Sequence, residues 1–202
     1  MGKSTKVFLI ILGVLLLSVF GIYSFFTSTY NGMVSAEEEV KASWAQVENV
    51  YQRRLDLIPN LVETVKGYAK HEKDVLESVV QARSKAGGVV NISEDILDNP
   101  ESFARFQKAQ SELSSSLQRL LAITEAYPDL KANENFLNLQ SQLEGTENRI
   151  AVERKRYNDA CGNYNAKIRM FPASIVANMG GFKPKAYFQA DEAAKEAPKV
   201  SF

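Results

Sequence analysis

A run of 20 uncharged, mostly apolar residues near the N-terminus constrains this chain more than any other feature. Residues 7–26 are dominated by Val, Leu, Ile and Phe, and no charged residue occurs from Val7 to Ala36. A helix of 20 residues rises about 30 Å, which matches the hydrocarbon core of a bilayer. The sequence therefore predicts a short basic N-terminus over residues 1–6 and a transmembrane helix from Val7 to Phe26 that contacts membrane lipid.

A cleaved signal peptide is the competing interpretation of the same residues. Lys3 and Lys6 give a basic start, and Val34-Ser35-Ala36 resembles a cleavage site. However, the apolar run is longer than the roughly 7–15 residues of a signal-peptide core. Ala36 also lies ten positions beyond Phe26, where the apolar run ends. We therefore favour an uncleaved, single-pass anchor.

Flanking charge predicts the orientation of the anchor. Lys3 and Lys6 precede the span, whereas the other side begins with the acidic residues Glu37, Glu38 and Glu39. Positive charge favours the cytoplasmic side of a membrane, and acidic residues contribute little to this rule. The two lysines therefore favour a cytoplasmic N-terminus with the rest of the chain outside.

Composition excludes several classes of protein. The 24 basic and 24 acidic residues give a net charge of zero, whereas nucleic-acid-binding proteins usually carry a basic excess. A hydrophobic content of 45% is sufficient for a folded core. One cysteine cannot form an internal disulfide, and one histidine cannot build a multi-histidine metal site. We expect no nucleic acid partner and no cofactor.

The remainder of the chain has the periodicity of helices. Apolar residues recur at helical spacing, and no alternating run is long enough for a strand, so we predict an all-α fold. Asn99-Pro100 is typical of a helix start, and Tyr127-Pro128 of a helix end. Asn133 is expected to cap the longest helix, which closes at Phe171-Pro172. Its predicted core positions are seven residues apart: Leu143, Ile150, Tyr157, Tyr164 and Phe171.

Two positions in the first helical block bear on its boundaries. The helical spacing of apolar residues from Trp44 to Val79 continues through Pro59, which is compatible with one kinked helix. However, the residue before a proline is pushed out of the α conformation, which favours a break there. The residues alone leave both alternatives open. Gly87-Gly88 is interpreted as a left-handed helix stop, as is Gly180-Gly181.

Several long motifs resemble the LemA family of bacterial membrane proteins. The matching stretches are residues 52–68 (QRRLDLIPNLVETVKGY), residues 127–133 (YPDLKAN), residues 147–151 (ENRIA), residues 156–158 (RYN), Tyr164-Asn165, Phe171-Pro172 and Gly181-Phe182. The resemblance implies a single-span protein of the bacterial cytoplasmic membrane with an up-and-down four-helix bundle over residues 27–171. It also implies a turn at Pro59. The family has no agreed biochemical activity, so the resemblance carries over no catalytic residue.

Polar residues at two places in the predicted bundle form a candidate structural or partner site. They are Arg53, Arg54, Asp56, Glu147, Asn148 and Arg149. Charged side chains at a bundle joint can pair and fix the register of the helices, at a desolvation cost. We favour this role over a ligand or partner site. Asn158 and Asn165, seven residues apart beside the tyrosines, are likewise interpreted as buried polar pins.

Motifs with catalytic potential are weak. His71-Glu72 lacks the second histidine of a zinc-protease helix, because Val75 stands at the required position. Cys161 has no histidine within its helix, and a buried free cysteine is common. We interpret both as structural residues.

The predicted amphipathic segment over residues 172–188 is too apolar for a simple linker. Its candidate contact residues are Ile175, Met179, Phe182, Tyr187 and Phe188. An even number of antiparallel helices returns the chain to its starting face, which adjoins the membrane. The segment is expected to contact lipid or form an oligomer interface, or else to fold back over the open end of the bundle. Under the first expectation, truncation at Pro172 weakens assembly or membrane association without unfolding the bundle. Residues 189–202 are predicted to be a disordered tail.

Two functional hypotheses follow. The first is a membrane-anchored, non-catalytic helical scaffold that binds other proteins or itself. The second is a metal-assisted hydrolase that uses Asp and Glu ligands, since oxygen ligands can hold a divalent ion without histidine. No spacing of carboxylates selects particular residues for the second hypothesis, and we favour the scaffold.

Overall fold

The computed structural model describes residues 2–90 and 94–189. Within those ranges every regular element is helical and no strand occurs, which confirms the all-α prediction. The elements are α1 (Lys3–Tyr68), α2 (Lys73–Val90), a 3₁₀ helix (Glu94–Leu97), α3 (Pro100–Thr124), α4 (Pro128–Lys131), α5 (Glu134–Arg169) and α6 (Ala173–Gly180). The predicted tail lies outside the described residues, apart from Gln189.

Helix α1 dominates the architecture. It contains 66 residues, so it is about 100 Å long. Its N-terminal part is apolar and exposed along its length, and α1 is the one helix among the described residues that is long and apolar enough to cross a membrane. The helix is unbroken at Phe26, so the predicted span continues directly into the bundle. α1, and not the helix that Asn133 caps, is therefore the longest.

The expectation of a turn at Pro59 is wrong, because α1 passes through this residue. A proline inside a helix leaves the carbonyl four residues earlier without its usual donor. That carbonyl belongs to Leu55, and Arg83 Nε of α2 donates to it at 2.8 Å. Ile58 and Leu61, on either side of Pro59, are fully buried and keep the helix on the core. A tertiary hydrogen bond and core packing thus keep the helix continuous.

The chain instead reverses between Tyr68 and Lys73. Ala69 ends α1 with φ −110° and ψ 64°, and its N–H donates to Val65 O at 2.8 Å.

The predicted helix stop at Gly87-Gly88 is also wrong, because both glycines lie inside α2. The stop at Gly180-Gly181 is correct, since Gly181 adopts a left-handed φ of 74° after α6. This conformation favours a residue without a side chain.

Four long helices, α1, α2, α3 and α5, run up and down the bundle. α5 is antiparallel to α1: Asn133 Nδ2 donates to Tyr68 Oη at 3.0 Å at the end far from the apolar stretch, here called the distal end. At the other end of α5, Lys167 Nζ donates to Gly32 O at 3.0 Å. The predicted caps are correct, since Asn99 accepts from two N–H groups of α3 and Asn133 accepts from Phe136 N–H.

The core has two parts. The membrane-proximal part is rich in aromatic residues, and the distal part is mainly aliphatic. Leu143, Ile150, Tyr157 and Tyr164 are buried as the seven-residue spacing predicted. Phe171 is 83% exposed, which corrects the last position of that pattern, because α5 ends at Arg169.

Candidate functional site

A polar cluster joins three helices at the boundary between the two parts of the core. Arg54 of α1 is 1% exposed. Its Nη1 donates to Glu147 Oε1 of α5 at 2.7 Å and to Ser114 Oγ of α3 at 2.9 Å. Its Nη2 donates to the side-chain oxygen of Gln110 in α3. The guanidinium therefore links α1, α3 and α5 at one level of the bundle. We call Arg54, Gln110, Ser114 and Glu147 the Arg54 cluster.

Only two of the six predicted cluster residues meet. Arg54 and Glu147 form the ion pair, whereas Arg53, Asn148 and Arg149 are exposed. Asp56 is also exposed and accepts from Gln52 Nε2, one turn earlier, at 2.8 Å. The exposed residues do not belong to the cluster, because the helical rotation places them on the solvent side. Sequence reasoning missed Gln110 and Ser114, which lack charge and stand on a helix where no polar position was singled out.

The C-terminal segment from Phe182 to Gln189 is extended and lies along α5; we call it the strap. Asn165 Oδ1 and Nδ2 bind the N–H and carbonyl of Lys185, both at 2.9 Å. Asn158 binds the N–H and carbonyl of Phe188 in the same way, at 2.9 and 3.0 Å. Seven residues of helix and three of extended chain both span about 10 Å. The two asparagines are therefore pins, as predicted, and what they hold is the strap. Asn165 is buried as expected, whereas Asn158 is half-buried.

Lys185 is the buried charge of the strap. Its side chain is 3% exposed and lies between two carboxylates, with Glu37 Oε1 at 2.8 Å and Asp98 Oδ1 in close contact. Burial alone would lower the pKa of Lys185, but the bonds to Asp98 and Glu37 outweigh it and the pKa is raised. The ammonium group therefore ties the strap to α1 and to the residue after the 3₁₀ helix.

Phe188 closes the aromatic part of the core. Its ring centroid lies 6.0 Å from Trp44, 4.9 Å from Phe103 and 5.4 Å from Tyr157. Phe188 is 6% exposed, so it cannot serve as the predicted lipid or oligomer contact. The segment does fold back on the bundle in this part. The expectation that truncation at Pro172 spares the bundle is accordingly revised, because truncation removes Phe188 and Lys185 from the core.

The other predicted contact residues remain at the surface. Ile175 and Met179 of α6 are 54% and 71% exposed, and Tyr187 of the strap is 43% exposed. Phe182 is half-buried, and its ring meets Tyr30 of α1 edge-on at 5.3 Å between centroids. α6 thus lies beside the first turns of α1 beyond the apolar stretch.

A groove between α1 and α2 opens at the distal end of the bundle, with a volume of about 790 Å³. Val62, Leu76 and Val80 form its apolar surface. Lysines and glutamates form its rim: Lys66, Lys70, Lys73, Glu63 and Glu77. Lys66 and Lys73 pair with the two glutamates within their own helices. We call this feature the distal groove.

Cys161 is inert as a nucleophile at neutral pH. It is fully buried, and its Sγ–H faces Ala186 O of the strap at 3.7 Å. Burial raises the pKa of the thiol from 9.0 to about 11, and a thiol rather than a thiolate is a poor nucleophile. The single histidine, His71, lies in the distal turn. Neither residue has the geometry of a catalytic site.

We expect the bundle to lose stability in alkali. Burial raises the pKa of Tyr157 and of Tyr164 as well as that of Cys161, and the pKa of Lys185 is raised by its acidic partners against the effect of burial. The unfolded chain releases these four protons at lower pH than the folded chain does. Stability is therefore full below about pH 9 and falls above it, and the Cys161 thiol accounts for a loss of up to roughly 3 kcal/mol by the time the pH passes 11.

Thermal unfolding followed by circular dichroism between pH 8 and pH 11 tests this expectation. The Cys161→Ala variant is the matched control, because it should show a shallower decline above pH 9. A melting temperature that is flat or rises across this range would contradict the assignment.

Together, the exposed apolar part of α1 and the bundle that continues from it define a helical membrane protein. The chain belongs to the LemA family, whose model matches residues 43–202. Among curated relatives, the magnetosome protein MamQ 2 of Paramagnetospirillum magneticum is 26% identical, with 93% of this chain and 75% of the relative aligned. The magnetosome protein MamQ of Magnetospirillum gryphiswaldense is 27% identical over the same shares. The protein LemA of Metamycoplasma hominis is 26% identical, covering 93% of this chain and 80% of the relative.

Proposed function

We propose that this LemA-type membrane protein is a non-catalytic scaffold that presents a binding surface at a fixed height above the membrane and binds other proteins or itself. The observation that carries the proposal is the continuity of α1. Between Phe26 and Tyr68 the helix has no break, so the distal end stands about 60 Å beyond the apolar stretch. A rigid connection of this kind holds the distal end at a fixed distance from the membrane. Confinement to a membrane also raises the effective concentration of partners.

The proposed location is the cytoplasmic membrane of a bacterium, with Val7–Phe26 in the lipid and the bundle outside. Support for the orientation comes from Lys3 and Lys6, which precede the span. Support for the bacterial setting comes from the relatives, which are bacterial proteins.

The distal groove is the proposed site for a partner protein. Its volume of about 790 Å³ and the exposed side chain of Val80 suit the apolar stripe of an amphipathic helix. Because Lys66 and Lys73 pair with the two glutamates, Lys70 gives the rim one net positive charge, which favours a partner helix with flanking acidic residues over one with basic residues. The groove lies at the end of the bundle farthest from the lipid, where a soluble partner has unobstructed access.

The alternative of a metal-assisted hydrolase has no support from the arrangement of carboxylates. Across the two described ranges no three residues among His, Cys, Asp and Glu converge to hold a metal ion. The carboxylates of Glu147, Glu37 and Asp98 are engaged in ion pairs with the buried side chains of Arg54 and Lys185.

Site-specific photo-crosslinking in native membranes tests the proposed function. A benzophenone side chain replaces Val80 in the distal groove, which is 51% exposed, and the control variant carries it at Val152 of α5, which is 48% exposed. We expect defined protein adducts at position 80 that are absent at position 152. Adducts of twice the chain mass would indicate self-association, and other defined masses a partner. Monomer alone at position 80, or the same adducts at both positions, would contradict the proposal.

A further inference from the structure

The surface formed by α6 and by the turn that connects it to α5 has no partner in the described part of the chain and is strongly apolar. Met170 is 62% exposed, Phe171 83%, Ile175 54% and Met179 71%. These four residues constitute what we call the α6 face. Large exposed apolar residues that cluster in this way mark an interaction surface rather than ordinary scatter.

The α6 face lies beside the part of α1 that directly follows the apolar stretch. Phe182, directly after α6, packs against Tyr30 of α1, and a side chain at Gly180 would approach the Tyr30 ring to 3.1 Å. Tyr30 is four residues, or about 6 Å along the helix, beyond Phe26. Phe26 itself packs against the same part of the core. The α6 face is thus at the level where the apolar stretch of α1 ends.

The charges around the α6 face fit a lipid headgroup region. From Lys167 to Lys183 the chain contains no acidic residue and three basic ones, the third being Arg169. All three side chains are exposed. Apolar residues at the boundary of the acyl chains, with basic residues among anionic headgroups, are the pattern of an interfacial helix. For the α6 face to pair with the same face of a second copy, its basic residues would need acidic partners. Residues 167–183 contain none.

We propose that the α6 face is inserted in the membrane interface and serves as a second lipid contact. The bundle then meets the membrane at two places, the α1 span and the α6 face, which fixes its tilt relative to the bilayer. Without α6, one helix alone would connect bundle and membrane. The proposal rests on the placement of Val7–Phe26 in lipid, which belongs to the proposed function above.

Lipid quenching in nanodiscs tests the proposal and its premise separately. The full chain carries Cys161→Ala and one added cysteine labelled with the NBD fluorophore: Met179→Cys on the α6 face, Leu17→Cys in the span, or Val152→Cys on α5. All three positions are at least 48% exposed, so labelling leaves the core intact. The lipids carry bromine on their acyl chains, and each disc holds one copy of the chain.

We expect brominated lipid to remove at least about half of the NBD fluorescence at position 179, because an interfacial helix is buried roughly 5–10 Å into the headgroup and acyl boundary. Position 17 should be quenched as well, and position 152 should not. Quenching at 17 without quenching at 179 would overturn the α6 proposal and leave the span in place. Absence of quenching at both would overturn the span and the α6 proposal together. A second preparation of discs that hold two copies tests self-association. If NBD at position 179 is quenched in single-copy discs but not in two-copy discs, the face belongs to a second copy and the lipid contact is overturned.

Discussion

Replacement of Arg54 by alanine should reduce the free energy of unfolding by about 2–4 kcal/mol, because the loss of hydrogen bonds to a charged group costs about 1.5–3 kcal/mol and the buried side chain leaves a cavity. The substitution removes a guanidinium that is 1% exposed and binds two helices. It leaves the side chains of Gln110 and Ser114 without their donor inside the bundle. Chemical denaturation of the protein in detergent, followed by circular dichroism, measures the change.

The neighbouring residue provides a matched control. Arg53 is exposed, so Arg53→Ala should change stability by no more than about 0.5 kcal/mol. Arg54→Met keeps most of the buried volume without the charge, and should cost less than Arg54→Ala because it leaves a smaller cavity in the core. Equal effects of Arg53→Ala and Arg54→Ala would show that the Arg54 cluster does not fix the helices.

Replacement of Phe188 by alanine should cost about 3–5 kcal/mol, as is usual for a buried phenylalanine. The ring is enclosed by Trp44, Phe103 and Tyr157, and the Arg154 guanidinium lies 4.7 Å above it. Trp44 is the single tryptophan of the chain, so its emission reports this site directly. We expect a red shift of Trp44 fluorescence together with the loss of stability.

Tyr187 is the control for the strap. It precedes Phe188 but is 43% exposed, so Tyr187→Ala should cost less than about 1 kcal/mol and leave the Trp44 emission unchanged. If Phe188→Ala behaved like Tyr187→Ala, the strap would not be part of the core.

Local sequence signals predicted the local features of the fold. Asn99 and Asn133 are short polar residues ahead of apolar periodic segments, and each caps its helix. The seven-residue spacing from Leu143 to Tyr164 predicted four core positions, because one helical face repeats at nearly that interval. Apolar length alone predicted the helix that is long and apolar enough to cross a membrane.

Features that depend on distant residues could not be predicted. The continuity of α1 at Pro59 depends on Arg83, which is 28 positions away from the Leu55 carbonyl that it binds. Gln110 and Ser114 join Arg54 across 56 and 60 positions. Gly87 and Gly88 have poor helix propensity, yet tertiary packing of α2 on α3 outweighs it. In each case the deciding contact comes from another helix.

The most direct test of the continuity of α1 is a distance across Pro59. It is measured by electron spin resonance between spin labels at Glu38→Cys and Lys66→Cys in the Cys161→Ala background. Both side chains are exposed on α1. Twenty-eight residues of unbroken helix separate them, so the account predicts a single distance near 42 Å. A distance near 23 Å is expected if the chain turned back at Pro59. That result would contradict the continuity of α1 and with it the fixed height of the proposed binding surface above the membrane.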